Sequence, residues 1–206
     1  MKTRLLQLLC FGFCLLAFNV GAREVSDVVL KEQIRIADNG PVLVLNGAGL
    51  RRTFMIVKTY VGALYLEQPT QDAREALDSQ QHKRMLFHVL LNRVSARKVA
   101  RALRDALVLN VTEEAYHSLK GSVEQFLSMF NGNLHEGDEV WIDYLPGVGT
   151  RVTIAGVDKG IIPGEAFYRA MLSIWIGDRP ISRTLKAEIM GETPVTASAS
   201  RRMRDN

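Results

Sequence analysis

Residues 53–66, TFMIVKTYVGALYL, contain a single charged side chain in fourteen positions and are rich in β-branched and aromatic residues. A run this continuously apolar does not suit a strand with one wet face. It reads as a central strand covered on both sides, so any fold for this chain must bring a layer to each face of a sheet.

The flanking pattern supplies such layers. Residues 28–37 alternate apolar and polar, Asp38-Asn39-Gly40-Pro41 marks a turn, and residues 42–45 resume a strand that ends at Asn46-Gly47. The N-terminal region therefore reads as a β-meander. Residues 72–79 suit a short surface helix and residues 84–91 a buried strand. Ser95 is placed to cap a helix carrying Val99, Leu103, Ala106 and Leu107 at helical spacing. Thr112 caps the next, where Tyr116, Leu119, Val123, Phe126, Leu127 and Phe130 form one apolar stripe. Residues 139–144 and 151–155 read as strands joined around Pro146-Gly147-Val148-Gly149, and a further extended piece begins at Lys159-Gly160. Phe167, Met171, Ile174 and Trp175 mark a buried helix stopped by Gly177, and Ser182 opens a last helix closed by Gly191. Strands and helices come in blocks without βαβ alternation. The expected class is α+β, an antiparallel sheet with helices layered on one face.

Lys2 and Arg4 precede an almost wholly apolar stretch, residues 5–20, and Gly21-Ala22 supplies small residues for cleavage. This is the pattern of an export signal over residues 1–22, and the apolar run is shorter than the roughly 20 residues a membrane span needs. The expected location is outside the cytoplasm, periplasmic or secreted. Cys10 and Cys14 both fall within the leader, so the expected mature domain, residues 23–192, has no disulfide, thiolate metal site or cysteine nucleophile. Residues 193–206 are small, polar and basic and read as a disordered tail. The formal net charge is +4, and removing Lys2 and Arg4 leaves +2, too little to argue for nucleic acid.

The chain has no Walker loop, dinucleotide fingerprint or nucleophile elbow. Gly47-Ala48-Gly49 lacks the third glycine of a phosphate-binding turn and reads as a tight connection between strands. His82, His88, His117 and His135 are scattered, so no metal and no cofactor are expected. Arg97, Arg101 and Arg104 share a helix face, with Arg93 and Lys98 nearby. Such a face suits an anionic membrane surface or an acidic partner as well as plain solvation. Asn110-Val111-Thr112 fits a glycosylation sequon, although Thr112 already has a role as a helix cap.

The segment from Asn46 to Leu66 is more informative. A glycine-rich turn delivers Arg51 and Arg52, and the buried strand then presents Tyr60 and Tyr65. An inward-facing arginine needs an anion, because a lone buried guanidinium is very costly. No Asp or Glu lies between Gly40 and Leu66. The anion comes either from a distant side chain such as Asp143 or from a bound ligand.

Two blocks of sequence resemble the chalcone-isomerase-like family. The first is Leu45-Asn46-Gly47-Ala48-Gly49-Leu50-Arg51 with Lys58-Thr59-Tyr60-Val61-Gly62-Ala63-Leu64-Tyr65-Leu66. The second is Gly160-Ile161-Ile162-Pro163-Gly164-Glu165-Ala166-Phe167 with Leu172-Ser173-Ile174-Trp175-Ile176-Gly177-Asp178-Arg179-Pro180. The resemblance implies an antiparallel sheet, helices on one face and a ligand cleft between them. In the family's plant enzymes that cleft holds an arginine, a threonine, a tyrosine, an asparagine and a late hydroxyl residue, which guide closure of a flavanone ring. Carried onto this chain, the arginine matches Arg51 and the threonine falls on Tyr60. The tyrosine and asparagine fall near Ser95 and Ala102, and the late hydroxyl near Ile174 or Ser173. Only the arginine is unchanged.

An arginine with a tyrosine resembles instead the family's non-catalytic branch, whose plant members bind fatty acids with those two groups on the carboxylate. The resemblance therefore implies a binder of a small amphipathic acid, with no catalytic residue. Arg51, Tyr60 and Ser173 are its polar candidates, and Phe54, Phe126, Phe130, Phe167, Met171 and Trp175 its apolar ones. An intramolecular lyase of the chalcone-isomerase type and an interaction module with a vestigial cleft are the alternatives.

Overall fold

The computed structural model describes residues 22–192. The expected leader and tail lie outside the described residues, apart from Ala22, which opens the first strand. Strands β1 (Ala22–Val25) and β2 (Val28–Lys31) form a separate hairpin, turned at Ser26 and Asp27 with positive φ. The alternating stretch 28–37 is thus not one strand of a meander. It breaks at Glu32, and β3 (Gln33–Arg35) joins the main sheet.

Next come β4 (Val42–Thr53), β5 (Val57–Leu66), α1 (Ala73–Asp78), β6 (Lys83–Val89), the short β7 (Arg93–Ser95), α2 (Ala96–Val108) and α3 (Glu113–Met129). The chain continues through β8 (Asn133–His135), β9 (Glu139–Leu145), β10 (Gly149–Ile154), β11 (Val157–Pro163), α4 (Glu165–Ile176) and α5 (Arg183–Ile189). Seven strands form one antiparallel sheet in the order β11-β10-β9-β6-β5-β4-β3, and β7 pairs with β8 apart from it. The fold is α+β, as the residue pattern implies.

The period-two alternation of each strand sorts its side chains between two cores. Leu64, Met85, Phe87, Val140, Ile142 and Val152 face the helices, where Leu103, Phe126, Phe167 and Trp175 meet them. On the opposite face Leu43, Val61, Ala63 and Tyr65 pack under Val28 and Leu30 of the N-terminal hairpin, and the Tyr65 hydroxyl donates to the Lys31 carbonyl at 3.0 Å. β5 is therefore covered on both faces. The run that implies this, however, divides in two: Thr53 ends β4, and Phe54, Met55 and Ile56 form an exposed hairpin tip.

Asn46 and the two glycines after it have a cause that the sequence does not display. Gly47-Ala48-Gly49 is not a connection between strands, since it lies inside β4. A Cβ at Gly47 would overlap the Glu188 carbonyl oxygen, and one at Gly49 the Glu188 carboxylate. The glycines are the floor on which α5 rests. Asn46 is the extra residue of a bulge in β4. Its amide donates to the Ile189 carbonyl at 3.0 Å and accepts from the Thr70 amide at 2.7 Å.

The helices start largely as their capping residues require. Asp72, Thr112 and Ser182 accept hydrogen bonds from the first turns of α1, α3 and α5. Ser95 occupies the N-cap of α2 without a side-chain hydrogen bond. Asn110 commits its amide group: it donates to Ala106 and Arg179 carbonyls and accepts from the Arg179 amide. A glycan on that nitrogen would break the clasp between the end of α2 and the loop before α5.

Candidate ligand-binding cleft

Between the end of the β4–β5 hairpin and α2 lies a cleft of about 390 Å³, within the range of small-molecule sites. Its walls are mostly apolar: Phe87, Val89, Leu91, Val94, Val99, Leu103, Trp175 and Ile181. The polar groups are Arg51, Thr53, Thr59, Tyr60 and Lys98. Among the described residues, no carboxylate or histidine lines it.

A second irregularity in the β4–β5 ladder sets the polar end. Arg51 pairs with Tyr60 and Arg52 with Lys58, which leaves Thr59 as the extra residue. On a regular strand Thr59 and Tyr60 would point to opposite faces, but the bulge lets both line the cleft. Thr59 donates its hydroxyl to the Arg51 carbonyl at 2.9 Å, tying the bulge to the opposite strand.

Tyr60 is held from two sides. Its ring packs on Phe87 with centroids 5.5 Å apart, and the Trp175 indole N–H donates to its phenol oxygen at 3.0 Å. Because that oxygen is the acceptor, the phenol keeps its own proton for an acceptor in the cleft. Burial pushes the Tyr60 pKa up to about 12, while the Trp175 hydrogen bond and the Arg51 charge pull the other way. The phenol is thus neutral and a donor across the physiological range.

Arg51 is half-buried in β4 rather than carried on a turn. One guanidinium nitrogen donates to the Arg52 carbonyl, and among the described residues it makes no ion pair. Asp143 is not its partner. That carboxylate is fully buried on the other face of the sheet, with Arg84 donating to it at 2.6 and 2.8 Å and Arg151 at 2.8 Å.

The other candidates disperse. Ser173 is buried in α4 and donates to the Ala170 carbonyl at 2.7 Å; Trp175, not Ser173, lines the cleft. Phe126, Phe130 and Phe167 pack on one another in the core with centroids 4.8 and 5.6 Å apart, Met171 is buried beside them, and Phe54 is exposed. Ala102 does line the cleft, and Ser95 does not. Thr53, Thr59 and Lys98 are the polar cleft residues that sequence reasoning passes over. Lys98 precedes Val99 and stands one turn before Ala102 on α2, so the helical period itself was the available signal.

No group of three or more metal-binding side chains occurs among the described residues. No curated protein sequence matches the chain. Among solved structures it resembles a fatty-acid binding protein of Arabidopsis thaliana, with a TM-score of 0.61 and 13% identity over 77% of this chain and 96% of that one. At that identity the likeness is one of fold. The chalcone isomerase-like family matches residues 22–191, nearly all of the described chain, and so this protein is a member of the chalcone isomerase-like family.

Proposed function

We propose that this protein is a non-catalytic carrier of a small amphipathic acid such as a fatty acid. The observation that carries the reading is the convergence of Arg51, which has no carboxylate partner among the described residues, with the neutral Tyr60 phenol at the polar end of an otherwise apolar cleft. A guanidinium and a phenol both donate to a carboxylate, and such charge-assisted bonds strengthen where water is excluded. An acyl tail would run along Val89, Val99, Leu103 and Ile181, each buried methylene adding about 0.8 kcal/mol before ordering costs. The structural likeness to a fatty-acid binding protein supports the same reading.

The cleft residues also bear on catalysis. Ala102 offers no hydrogen bond to orient a phenolate, and a phenol with a pKa of about 12 is a poor general base at neutral pH. The leader pattern of residues 1–22 supports a site of action outside the cytoplasm, which the N-terminal sequence of the protein recovered from its host would test.

The first experiment is mass spectrometry of what the natively purified protein releases on denaturation. A stoichiometric fatty acid or related amphipathic acid is the expected result. An empty protein that also fails to take up palmitate would overturn the assignment.

A further inference from the structure

Three consecutive large apolar side chains stand at the tip of the β4–β5 hairpin: Phe54 is 86% exposed, Met55 87% and Ile56 82%. They are the most exposed large hydrophobic residues among those described, and no described residue covers them. Their backbone deepens the puzzle. Phe54 and Met55 have φ of 51° and 63°, the left-handed region in which a hairpin turn favours Asn and Gly and a bulky side chain is strained. Folding stability would select other residues here. An outlier of this kind, kept at a cost to the fold, points to a role outside it.

The surroundings say what the tip meets. No acidic residue occurs between Gly40 and Leu66. Across the cleft mouth, α2 presents Arg97, Lys98 and Arg101 to solvent, and Lys98 shares the cleft wall with Arg51, Thr53 and Thr59. The sole acidic residue of α2, Asp105, is paired with Arg104 at the far end of the helix. Arg23, Arg52 and Lys58 share a groove with Glu24, Glu188 and Glu192, so the net positive charge at the mouth comes from α2 and Arg51. An apolar wedge beside a basic helix is complementary to an anionic bilayer, with acyl chains at the boundary and negative headgroups above them.

We propose that Phe54, Met55 and Ile56 insert into the surface of an anionic lipid bilayer, with Arg97, Lys98 and Arg101 against its headgroups. This docking surface stands on the hairpin and α2 alone. Its consequence, that the cleft exchanges its acid directly with the membrane, rests on the carrier reading above.

The test is sedimentation of the purified protein with vesicles of phosphatidylcholine alone and of phosphatidylcholine and phosphatidylglycerol in equal parts. Binding to the anionic vesicles, weakened by salt, is expected. Phe54→Asn combined with Met55→Gly suits the turn, so it should hold or raise the thermal midpoint, leave palmitate affinity in solution unchanged, and weaken vesicle binding roughly tenfold or more. Arg97→Gln combined with Arg101→Gln should weaken it roughly tenfold on anionic vesicles. Absence of vesicle binding, or full binding by the Asn-Gly variant, would overturn the proposal. So would a wild-type dimer that the Asn-Gly variant turns into a monomer, because the tip would then be covered by a second copy. Vesicle binding without palmitate binding would remove the carrier reading and leave the docking surface standing.

Discussion

Arg51 stands directly opposite Tyr60 in the β4–β5 ladder, and both side chains line the same cleft. Residues paired across an antiparallel ladder project to the same face, so the two donors are aligned by backbone hydrogen bonds rather than by loops. Such a pair is held in place before any ligand arrives, which lowers the ordering cost of binding.

Removing either donor should therefore weaken acid binding without unfolding the protein. Arg51→Ala is expected to lower affinity for palmitate by roughly ten- to a hundredfold, the value of hydrogen bonds to a charged group. Arg51→Lys keeps the charge but not the fork and should fall between. Tyr60→Phe should cost about tenfold. Titration calorimetry with thermal midpoints as a folding control measures all three. Full affinity in a folded Arg51→Ala protein would show that the carboxylate is not held there.

The glycines of β4 make a separate prediction about the fold. Gly47→Ala would drive a methyl group into the backbone of α5, which has no flexible end to move aside, whereas at Gly49 the nearest atoms all belong to the Glu188 side chain. Gly47→Ala should cost at least the 1–3 kcal/mol typical of overpacking, and Gly49→Ala less. Glu188, which accepts from the Leu50 amide at 3.1 Å, is the group that must swing away in the second case. Urea midpoints would rank the two variants, and hydrogen exchange in α5 would show whether it lifts off the sheet. Equal, negligible losses would mean that α5 docks loosely.

Sequence reasoning reads elements that depend on local periodicity well. α3 is legible because one stripe and the Thr112 cap fix it, and α4 because Gly177 halts a run of buried residues. Contacts between distant segments set the remainder. Gly47 and Gly49 look like a turn until α5, about 140 residues on, is laid across them. The tip at Phe54 is hidden in an apolar run because a hairpin is normally announced by Asn or Gly, neither of which is present. Arg51 and Tyr60 are legible as residue types, but the bulge at Thr59 that sets the polar end is not. Ser173 and Trp175 differ by two positions in a helix, enough to turn one side chain away from the cleft and the other toward it.

Asp143 should matter to stability and not to binding. It holds Arg84 and Arg151 on the face away from the cleft, and Arg84 also lies over the Trp141 ring at 4.1 Å. Asp143→Asn leaves a nearly buried guanidinium without its counter-charge and should destabilise by about 3–5 kcal/mol. Adding Arg84→Met removes the orphaned charge and should recover much of that loss. Denaturant unfolding measures both, and palmitate affinity should stay unchanged in each. A shift in affinity would mean that the two faces of the sheet are coupled.

Alkaline pH separates two kinds of buried group. The Lys83 amine is buried, donates to the Ala76 and Leu77 carbonyls at 2.6 and 3.1 Å, and is pushed by burial down to about 8 from 10.5. Above pH 8 the folded protein sheds this proton while the unfolded chain keeps it. Stability should therefore rise with pH between about 8 and 10.5 by about 2–3 kcal/mol. The neutral amine still has two protons for its two carbonyl partners. Burial raises the phenols of Tyr60, Tyr65 and Tyr168 above their ordinary value of 10.0, so there the unfolded chain ionises first and stability should fall as pH passes about 10. Urea midpoints across the alkaline range should trace a rise and then a fall. Lys83→Met should abolish the rising limb, and Tyr60→Phe should make the falling limb shallower. A stability that declines steadily from neutral pH in the wild-type protein would show that Lys83 keeps its charge in the folded core.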